Sequence, residues 1–146
     1  MRLSQIDSSS IFMGIYKRYE MMKESIRYLN NAKETLIKSP IEDNRYANDK
    51  YVKSACGIAY LGVIKAIDEL LLKKGLTPKE LPKKVEEYEK ALRKYASPYN
   101  GKLFKAFTDI YEELHIAGYH RGFLHRVDTV KAALKGAEEF IKKLGS

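Results

Sequence analysis

Apolar residues recur every three or four positions along most of the chain, which is the spacing that places them on one face of an α-helix. Turn-forming segments separate these stripes, and no segment alternates apolar and polar residues as a half-buried strand does. Amphipathic helices joined by short loops pack as antiparallel neighbours. The pattern therefore predicts an all-α, antiparallel four-to-five-helix bundle. The five predicted helices span about 16–38, 49–74, 82–96, 102–119 and 129–144.

The ends of these helices are marked by residues with known positional preferences. Pro40 ends the first helix, because the residue before a proline is disfavoured in the α region. Asn48 or Asp49 is the expected N-cap of the second helix, and Gly75 ends it in a left-handed turn. Asp128 is the expected N-cap of the fifth helix. Gly118 and Gly122 leave the exact end of the fourth helix, near Tyr119, open.

The second predicted helix has the most informative surface. One edge of its apolar arc consists of small residues, which allow a neighbouring helix to approach closely; they are Ala55, Ala59, Gly62 and Ala66. Ile58, Leu61 and Leu72 fall on the opposite, nominally polar side. A helix that is apolar nearly all round is either central to the fold or covered by a partner. We therefore predict a homodimer that forms through Ile58, Leu61 and Leu72.

A chain of 146 residues has the length of one domain, which we place at 16–146 after a polar, partly disordered lead at 1–15. No apolar run approaches the roughly 20 residues that a membrane-spanning helix needs, and no signal peptide is visible. The one cysteine, Cys56, cannot form an internal disulfide. Cytoplasmic localisation is the expectation.

The formal net charge of +8 raises the question of a nucleic-acid partner. The densest basic stretch lies between residues 73 and 94, but glutamates are interleaved with it. Its basic residues are Lys73, Lys74, Lys79, Lys83, Lys84, Lys90, Arg93 and Lys94. Lysine on solvated helix faces favours solubility, and this is one interpretation. The other interpretation is a phosphate-binding surface formed by all of these side chains except that of Lys79.

Candidate catalytic or metal-ligating residues are few. His115, His120 and His125 are five residues apart, and this spacing, about 140° on an α-helix, predicts that they do not share a face. Glu112 and His115 form one Glu-x-x-His unit, whereas a di-iron site in a bundle needs two. Cys56 lies within an apolar arc, where we expect a structural thiol with a raised pKa. No metal and no cofactor are expected.

The segment 118–126 concentrates histidine and arginine near the end of the fourth helix. Two interpretations fit this segment. His120, Arg121 and His125 could form a catalytic site in which histidines move protons and arginine holds a phosphate. Alternatively, the segment is a polar, glycine-hinged turn whose cations interact with the C-terminal end of a helix.

Two stretches resemble a family of small bacterial helical proteins catalogued as a domain of unknown function. They are residues 49–63, DKYVKSACGIAYLGV, and 114–122, LHIAGYHRG. The resemblance extends from about Tyr28 to Phe123. It implies a helical fold and carries no established activity.

More distantly, the layout resembles the HEPN superfamily of helical bundles. The cues are a second helix with small residues that ends in LLLKKG and a last helix that reads AALKGAEEF. HEPN-like domains are often dimers; some are ribonucleases, and others are adaptors or partners of nucleotidyltransferases. The ribonucleases have an arginine, four to six residues, and then a histidine. Here Arg121 and His125 are separated by three residues, which departs from that pattern.

The sequence thus leaves two main hypotheses. The first is a non-catalytic bundle that acts through protein association, as a homodimer or with a partner such as a nucleotidyltransferase. The second is a HEPN-like ribonuclease or RNA-binding adaptor that uses His120, Arg121 and His125. The resemblance favours an up-and-down topology under either hypothesis.

Overall fold

The computed structural model describes residues 24–96 and 101–145, and it confirms an all-α bundle. Helix α1 covers 24–37 in the described part of the chain, and α2 spans Asp49–Lys73. Helix α3 spans Val85–Tyr95, α4 spans Lys102–Ile110, and α5 spans Val127–Gly145. A π-helical segment, Tyr111–His120, continues α4 without a break. The predicted lead at 1–15 and the start of the first helix lie outside the described residues.

Helix α2 is the central helix, because it packs against the π-helical segment, α5 and α3. The edge of small residues predicted on α2 allows a neighbouring helix to approach closely, as expected. A Cβ atom added at Gly62 would lie 2.9 Å from the Cβ of Tyr28 and 3.2 Å from the carbonyl oxygen of Ser25, both in α1. The fully buried Phe107 ring of α4 meets Tyr60 of α2, Tyr88 of α3 and Phe140 of α5. Leu29, Ala32 and Leu36 of α1 join the same core, which is therefore shared by the five helices of the described residues.

The predicted start and stop signals of α2 are present. Asn48 is the N-cap, and its side chain accepts a hydrogen bond of 3.1 Å from the backbone N–H of Lys50. Gly75 adopts a positive φ of 102° just after the helix, as the left-handed stop requires. Asp49 is the first helical residue, where its charge favours the helix dipole.

A short β-hairpin between α1 and α2 was not predicted. Its strands, β1 at Ile41–Glu42 and β2 at Arg45–Tyr46, pair in antiparallel orientation. The two loop residues have positive φ angles, 51° at Asp43 and 62° at Asn44. A two-residue loop with both residues in this region is a type I′ turn, which matches the twist of the strands. Two-residue strands are too short to show alternation in a sequence.

Three predicted helix boundaries are corrected by the structure. The third helix begins at Val85, three residues after Pro82, because a short 3₁₀ turn at Pro78–Glu80 precedes it. The fourth predicted helix changes to π-helical geometry at Tyr111. The fifth begins at Val127, so Asp128 lies in its first turn and is not the residue before it.

One apolar residue of the first predicted stripe is also misplaced. Leu29, Ala32 and Leu36 are buried as predicted, but the Ile37 side chain is 80% exposed. The helix ends at this residue, so its side chain lies beyond the contact with the other helices. Across the described residues, no helix is both long and apolar enough to span a membrane.

Candidate functional site: an aromatic groove beside a π-helical segment

The π-helical segment is the least usual element of the fold. π-helices have hydrogen bonds from residue i to i+5, are rare, and are frequent at functional sites when they occur. The Arg121 backbone N–H donates to the Ile116 carbonyl over 2.9 Å, which is the i+5 pattern. Phe123 donates to Ala117 over 2.8 Å and closes the end, and Gly122 turns the chain with a φ of 63°.

Two glycines allow this segment to lie directly against α2. A Cβ atom at Gly118 would lie 2.6 Å from the Sγ atom of Cys56 and 2.8 Å from its Cβ, so only glycine fits without movement. On the other helix, a Cβ at Gly57 would lie 2.8 Å from the Tyr119 ring. The Tyr119 ring therefore lies over the backbone of α2 at the position where a side chain is missing.

The close contact gathers a cluster of rings around His115. Its ring centroid is 4.7 Å from that of Tyr60 on α2, with the rings stacked. Within its own segment, His115 lies 5.3 Å from Tyr111, 6.0 Å from Tyr119 and 4.6 Å from His120. Aromatic pairs with centroids 4.5–7 Å apart attract one another beyond simple burial. The imidazole of His115 is thus held on several sides by rings.

The prediction that His115 and His120 do not share a face is wrong. The 140° rotation was calculated for an α-helix, in which five residues exceed one turn by more than a third. In a π-helix the i to i+5 hydrogen bond places these two residues on adjacent turns. Their rings therefore meet edge to face, with an interplanar angle of 82°.

The electrostatics of the cluster favour uncharged rings. Burial lowers the pKa of His115, and the neighbouring His120 lowers it further. Burial also raises the pKa of the Tyr60 hydroxyl, with smaller contributions from Tyr111 and Glu89. Each shift disfavours the charged form. Burial therefore favours the uncharged forms of His115 and Tyr60.

A groove opens beside this cluster, between α2 and the π-helical segment. We call it the aromatic groove; it is lined by Ser54, Gly57, Ile58, Tyr60, Leu61, His115 and Tyr119. Its volume is about 480 Å³. Leu61 is 53% exposed and Tyr119 is 44% exposed, although both are large and apolar. Exposed apolar side chains around a concave surface are typical of a binding site.

The structure does not bring the three predicted catalytic residues to one point. His120 packs against His115 and Tyr119, whereas the Arg121 guanidinium lies 5.8 Å from the centre of the Phe123 ring. His125 instead faces Asp49 at the start of α2, with 3.2 Å between Nδ1 and Oδ1. Each side chain has a different partner.

The turn that contains His125 is held by the β-hairpin. The Tyr46 backbone N–H donates to the His125 carbonyl over 2.8 Å, and the Val127 N–H donates to the Asn44 carbonyl over 2.9 Å. Arg126 pairs with Asp128 at 3.2 Å. These contacts are those of an ordered connection between the π-helical segment and α5. The hairpin, which the sequence pattern did not reveal, is what positions this connection.

The predicted nucleic-acid-binding side chains are all exposed, but several are engaged locally. Exposed are Lys73, Lys74, Lys83, Lys84, Lys90, Arg93 and Lys94. The Arg93 guanidinium covers the Phe104 ring at 4.0 Å, and the Lys94 ammonium lies 5.2 Å from the Tyr95 ring. Glu87 accepts hydrogen bonds from the backbone of Lys83 and Lys84. Lys73 and Lys74 lie at the end of α2, and the loop before α3 separates them from these residues.

Nucleophilic and metal chemistry find little support among the described residues. Cys56 is fully buried, and burial raises the pKa of its thiol to about 12, with a smaller contribution from Glu113. The predicted structural role of this thiol is therefore confirmed. Within residues 24–96 and 101–145, no three His, Cys, Asp or Glu side chains are grouped as a metal site would need.

Sequence analysis found part of this site and missed part of it. Ile58 and Leu61 were placed outside the core by helical periodicity, and Leu61 lines the groove at its exposed edge. The ring cluster of His115 and Tyr119 was missed, because it depends on the π-helical geometry. The sequence did contain a signal for this contact, since Gly57 and Gly118 both lie within helical patterns. A glycine inside a helix often marks a position where another element packs closely against it.

Comparison with known proteins gives a family and a fold, but no activity. A family model described as "Domain of unknown function (DUF5618)" matches residues 20–146. Among solved structures, a protein of unknown function from Dyadobacter fermentans is similar, with 31% sequence identity and a TM-score of 0.72. That match covers 88% of this chain and 95% of the other. No curated protein matches this chain.

Proposed function

The chain belongs to the DUF5618 family of domains of unknown function, and from this premise we propose that it is a non-catalytic protein-association module that forms a homodimer through the aromatic groove. The family resemblance noted in the sequence is confirmed by the match over residues 20–146. The proposal rests on one observation. Large apolar side chains are exposed around an uncharged groove on the central helix.

The exposed strip on α2 extends beyond the groove. Leu72, three helical turns after Leu61, lies on the same face and is 36% exposed. Ile58 is half-buried beside the groove. Lys65 lies between Leu61 and Leu72, and Asp68 and Glu69 follow it on the two sides of the strip. The strip thus has apolar ends with the exposed Lys65 between them, since Asp68 and Glu69 are partly buried and accept hydrogen bonds from Tyr88 and Ser25.

This arrangement suits a second copy of the same chain. A two-fold symmetric interface uses the same patch on both partners, so the patch must fit itself. Leu61 projects at the edge of the aromatic groove, and in a dimer it would fill the groove of the partner. A stable interface of this type needs about 800 Å² from each partner, so it would have to include both the α2 strip and the adjacent π-helical segment.

Light scattering coupled to size-exclusion chromatography tests the proposal. At tens of micromolar, the wild-type protein should have a mass near twice the chain mass of 16.8 kDa. Leu61→Glu should give a monomer, because it places a charge where the leucine side chain would enter the apolar groove of the partner. Ile37→Glu is the matched control, since it changes a large exposed aliphatic residue on α1, outside the aromatic groove. A monomeric wild type, or equal behaviour of the two variants, would refute the homodimer.

A second candidate function is RNA cleavage by a HEPN-like mechanism. The observation in its favour is the pair of histidines, His115 and His120, whose ring centroids are 4.6 Å apart. The exposed Arg121 follows His120 directly in the chain. Two imidazoles at the end of a helix could supply a general base and a general acid, and the arginine could hold a phosphate. His125 would not join them, since it faces Asp49.

Incubation with structured RNA separates the two candidates. A ribonuclease should lose cleavage in the double variant His120→Ala and Arg121→Ala, whereas Leu61→Glu should affect cleavage only through dimerisation. His125→Ala serves as the control for an exposed histidine outside the pair. If the wild type does not cleave RNA, or if the wild type and the double variant cleave it equally, the ribonuclease candidate is rejected.

Binding of nucleic acid to the surface between Lys73 and Lys94, and association with a nucleotidyltransferase, stay predictions. A phosphate-binding surface requires an affinity that falls steeply with salt, because counterions are released from the nucleic acid. Fluorescence anisotropy with a labelled RNA at two salt concentrations measures this. Absent or salt-independent binding would reject it.

A further inference from the structure

A second groove lies on the other side of the bundle, between the end of α1, the β-hairpin and α5. Its volume is about 590 Å³, within the range of roughly 300–1,000 Å³ that is usual for small-molecule sites. The walls are aliphatic or aromatic and consist of Leu36, Ile37, Ile41, Tyr46 and Leu134. Ile37 is 80% exposed and Ile41 is 54% exposed. Apolar side chains are therefore left open to solvent along this groove.

The edge of the groove is positively charged. Lys33, Lys131 and Lys135 line it together with one acid, Glu138. Glu138 is engaged by Lys33, whose Nζ lies 3.5 Å from its Oε1. Lys131 and Lys135 have no ion pair among the described residues, and they are four residues apart on α5. Side chains at i and i+4 on a helix are neighbours, so two cations point past the same side of an apolar groove. We call it the lysine-rimmed groove.

We propose that the lysine-rimmed groove binds a single-chain anionic amphiphile, with its acyl chain along Ile37, Ile41 and Leu134 and its carboxylate between Lys131 and Lys135. The groove matches such a molecule in both of its parts. Its walls supply apolar contact for a flexible chain, and its rim supplies two cations for one anionic head group. The alkyl stems of the lysines extend the apolar wall while their ammonium groups stay in water.

Isothermal titration with dodecanoate, kept below its micelle concentration, is the direct test on the full chain. Dodecan-1-ol and dodecyltrimethylammonium are matched probes with the same chain and a neutral or cationic head. Dodecanoate should bind most tightly and dodecyltrimethylammonium most weakly. Amide shifts in a heteronuclear NMR spectrum should change at the end of α1, the hairpin and the face of α5, and not around Leu61 and Tyr119.

Two surface variants separate the head-group contact from the chain contact. Lys131→Gln with Lys135→Gln should weaken dodecanoate by about tenfold, the size expected for two ion pairs at the edge of a site, and leave dodecan-1-ol within about twofold. Lys105→Gln with Lys142→Gln removes the same charge elsewhere and should change neither. Ile37→Ser should weaken both probes, because it removes apolar wall.

Several results would overturn the proposal. These are equal binding of the three head groups, shifts centred on the aromatic groove, or no effect of the Lys131 and Lys135 changes. Binding to phosphatidylglycerol vesicles without binding of monomeric dodecanoate would assign the face to a membrane surface. Dissociation of a dimer by Ile37→Ser would assign it to a second copy. Since Leu61→Glu leaves this groove intact, loss of the proposed homodimer and loss of amphiphile binding are separate outcomes.

Discussion

The aromatic groove and the lysine-rimmed groove are both apolar clefts on the surface of one bundle, but their edges differ. Around the aromatic groove the rings are neutral, and its exposed residues, Leu61 and Tyr119, are themselves apolar. Around the lysine-rimmed groove, Lys131 and Lys135 have no acidic partner within the described part of the chain. Apolar walls alone therefore do not identify an occupant. The charge at the edge does, and it favours a second copy in one case and an anionic amphiphile in the other.

The two grooves also arise from different backbone features. The aromatic groove depends on two helices in very close contact, which Gly57 and Gly118 allow. The lysine-rimmed groove depends on the end of α1, after which the chain turns through a hairpin and leaves one face of α5 uncovered. Backbone packing should therefore control the first groove, and surface side chains the second. Four substitutions or titrations test this contrast.

The largest effect is expected from Gly118→Ala. The added methyl group would overlap Cys56, which is fully buried and has no free space to move into. Overpacking of this kind costs about 1–3 kcal/mol of unfolding free energy, and we expect the upper end. Urea unfolding followed by circular dichroism measures it. Amphiphile binding by the fraction that stays folded should be unchanged.

Gly136→Ala on α5 is the matched control for that substitution. A Cβ atom at Gly136 meets nothing within 4 Å, so the change should stabilise the protein by about 0.5–1 kcal/mol through helix propensity alone. If Gly118→Ala lowers the free energy of unfolding and Gly136→Ala raises it, the contact with Cys56 is tight. A neutral Gly118→Ala would show that α2 and the π-helical segment are separable.

The next effect concerns Glu69, a partly buried carboxyl group on α2. Burial raises its pKa to about 7, against a smaller opposing hydrogen bond from Ser25. The stability that the neutral form contributes is complete below pH 4.5 and is lost as the pH rises through 7. Glu69→Gln should therefore stabilise the protein at pH 8 by about 1 kcal/mol, after allowance for a half-exposed group, and change little at pH 4.

Urea midpoints at pH 4 and pH 8 measure this difference. Glu139→Gln, at an exposed position on α5, is the control and should show the same small change at both values. Equal effects of the two variants at pH 8 would mean that the carboxyl group of Glu69 is well solvated.

The success of the sequence in predicting the bundle and its failure at the site have one cause. Helical periodicity identifies which residues face a core, and it correctly placed Leu29, Cys56 and Phe107 inside and Leu61 outside. It assumes 3.6 residues per turn throughout. The π-helical segment breaks that assumption, so the meeting of His115 with His120 was not foreseeable from spacing.

Short elements were missed for a related reason. A hairpin of two-residue strands contains no period to detect, and its signal lies in the loop residues Asp43 and Asn44. Both tolerate positive φ, which is the chemistry of a type I′ turn. The exposure of Ile37 follows from the same region, because a stripe cannot show where the opposing helix stops. Sequence patterns therefore predict packing within an element better than contacts between elements.

A smaller effect on stability is expected from Gly57→Ala, although it lies in the same helix contact as Gly118. Here the added methyl group would meet the Tyr119 ring at 2.8 Å, and that ring is 44% exposed, whereas Cys56 is fully buried. The cost should stay below about 1 kcal/mol. Displacement of the ring would nevertheless reshape the aromatic groove and weaken the proposed dimer. A large loss of stability with an unchanged dimer would contradict both expectations.

The smallest effect, and the one that compares the grooves most directly, is the response to pH near 6.5. Because burial and His120 lower the pKa of His115, the unfolded chain takes up a proton at a higher pH than the folded chain does. The corresponding stability is present above pH 6.5 and is lost as the pH falls through the lower folded pKa. The change is small because the imidazole is partly exposed to solvent. In the Glu69→Gln background, His115→Phe should flatten the urea midpoint between pH 7.5 and pH 5.5. A dimer that buries His115 should weaken as the pH falls over the same range, whereas amphiphile binding in the other groove does not depend on His115. If His115→Phe leaves the pH dependence of stability unchanged, burial does not hold His115 uncharged, and the apolar surface on which the self-association proposal depends is lost.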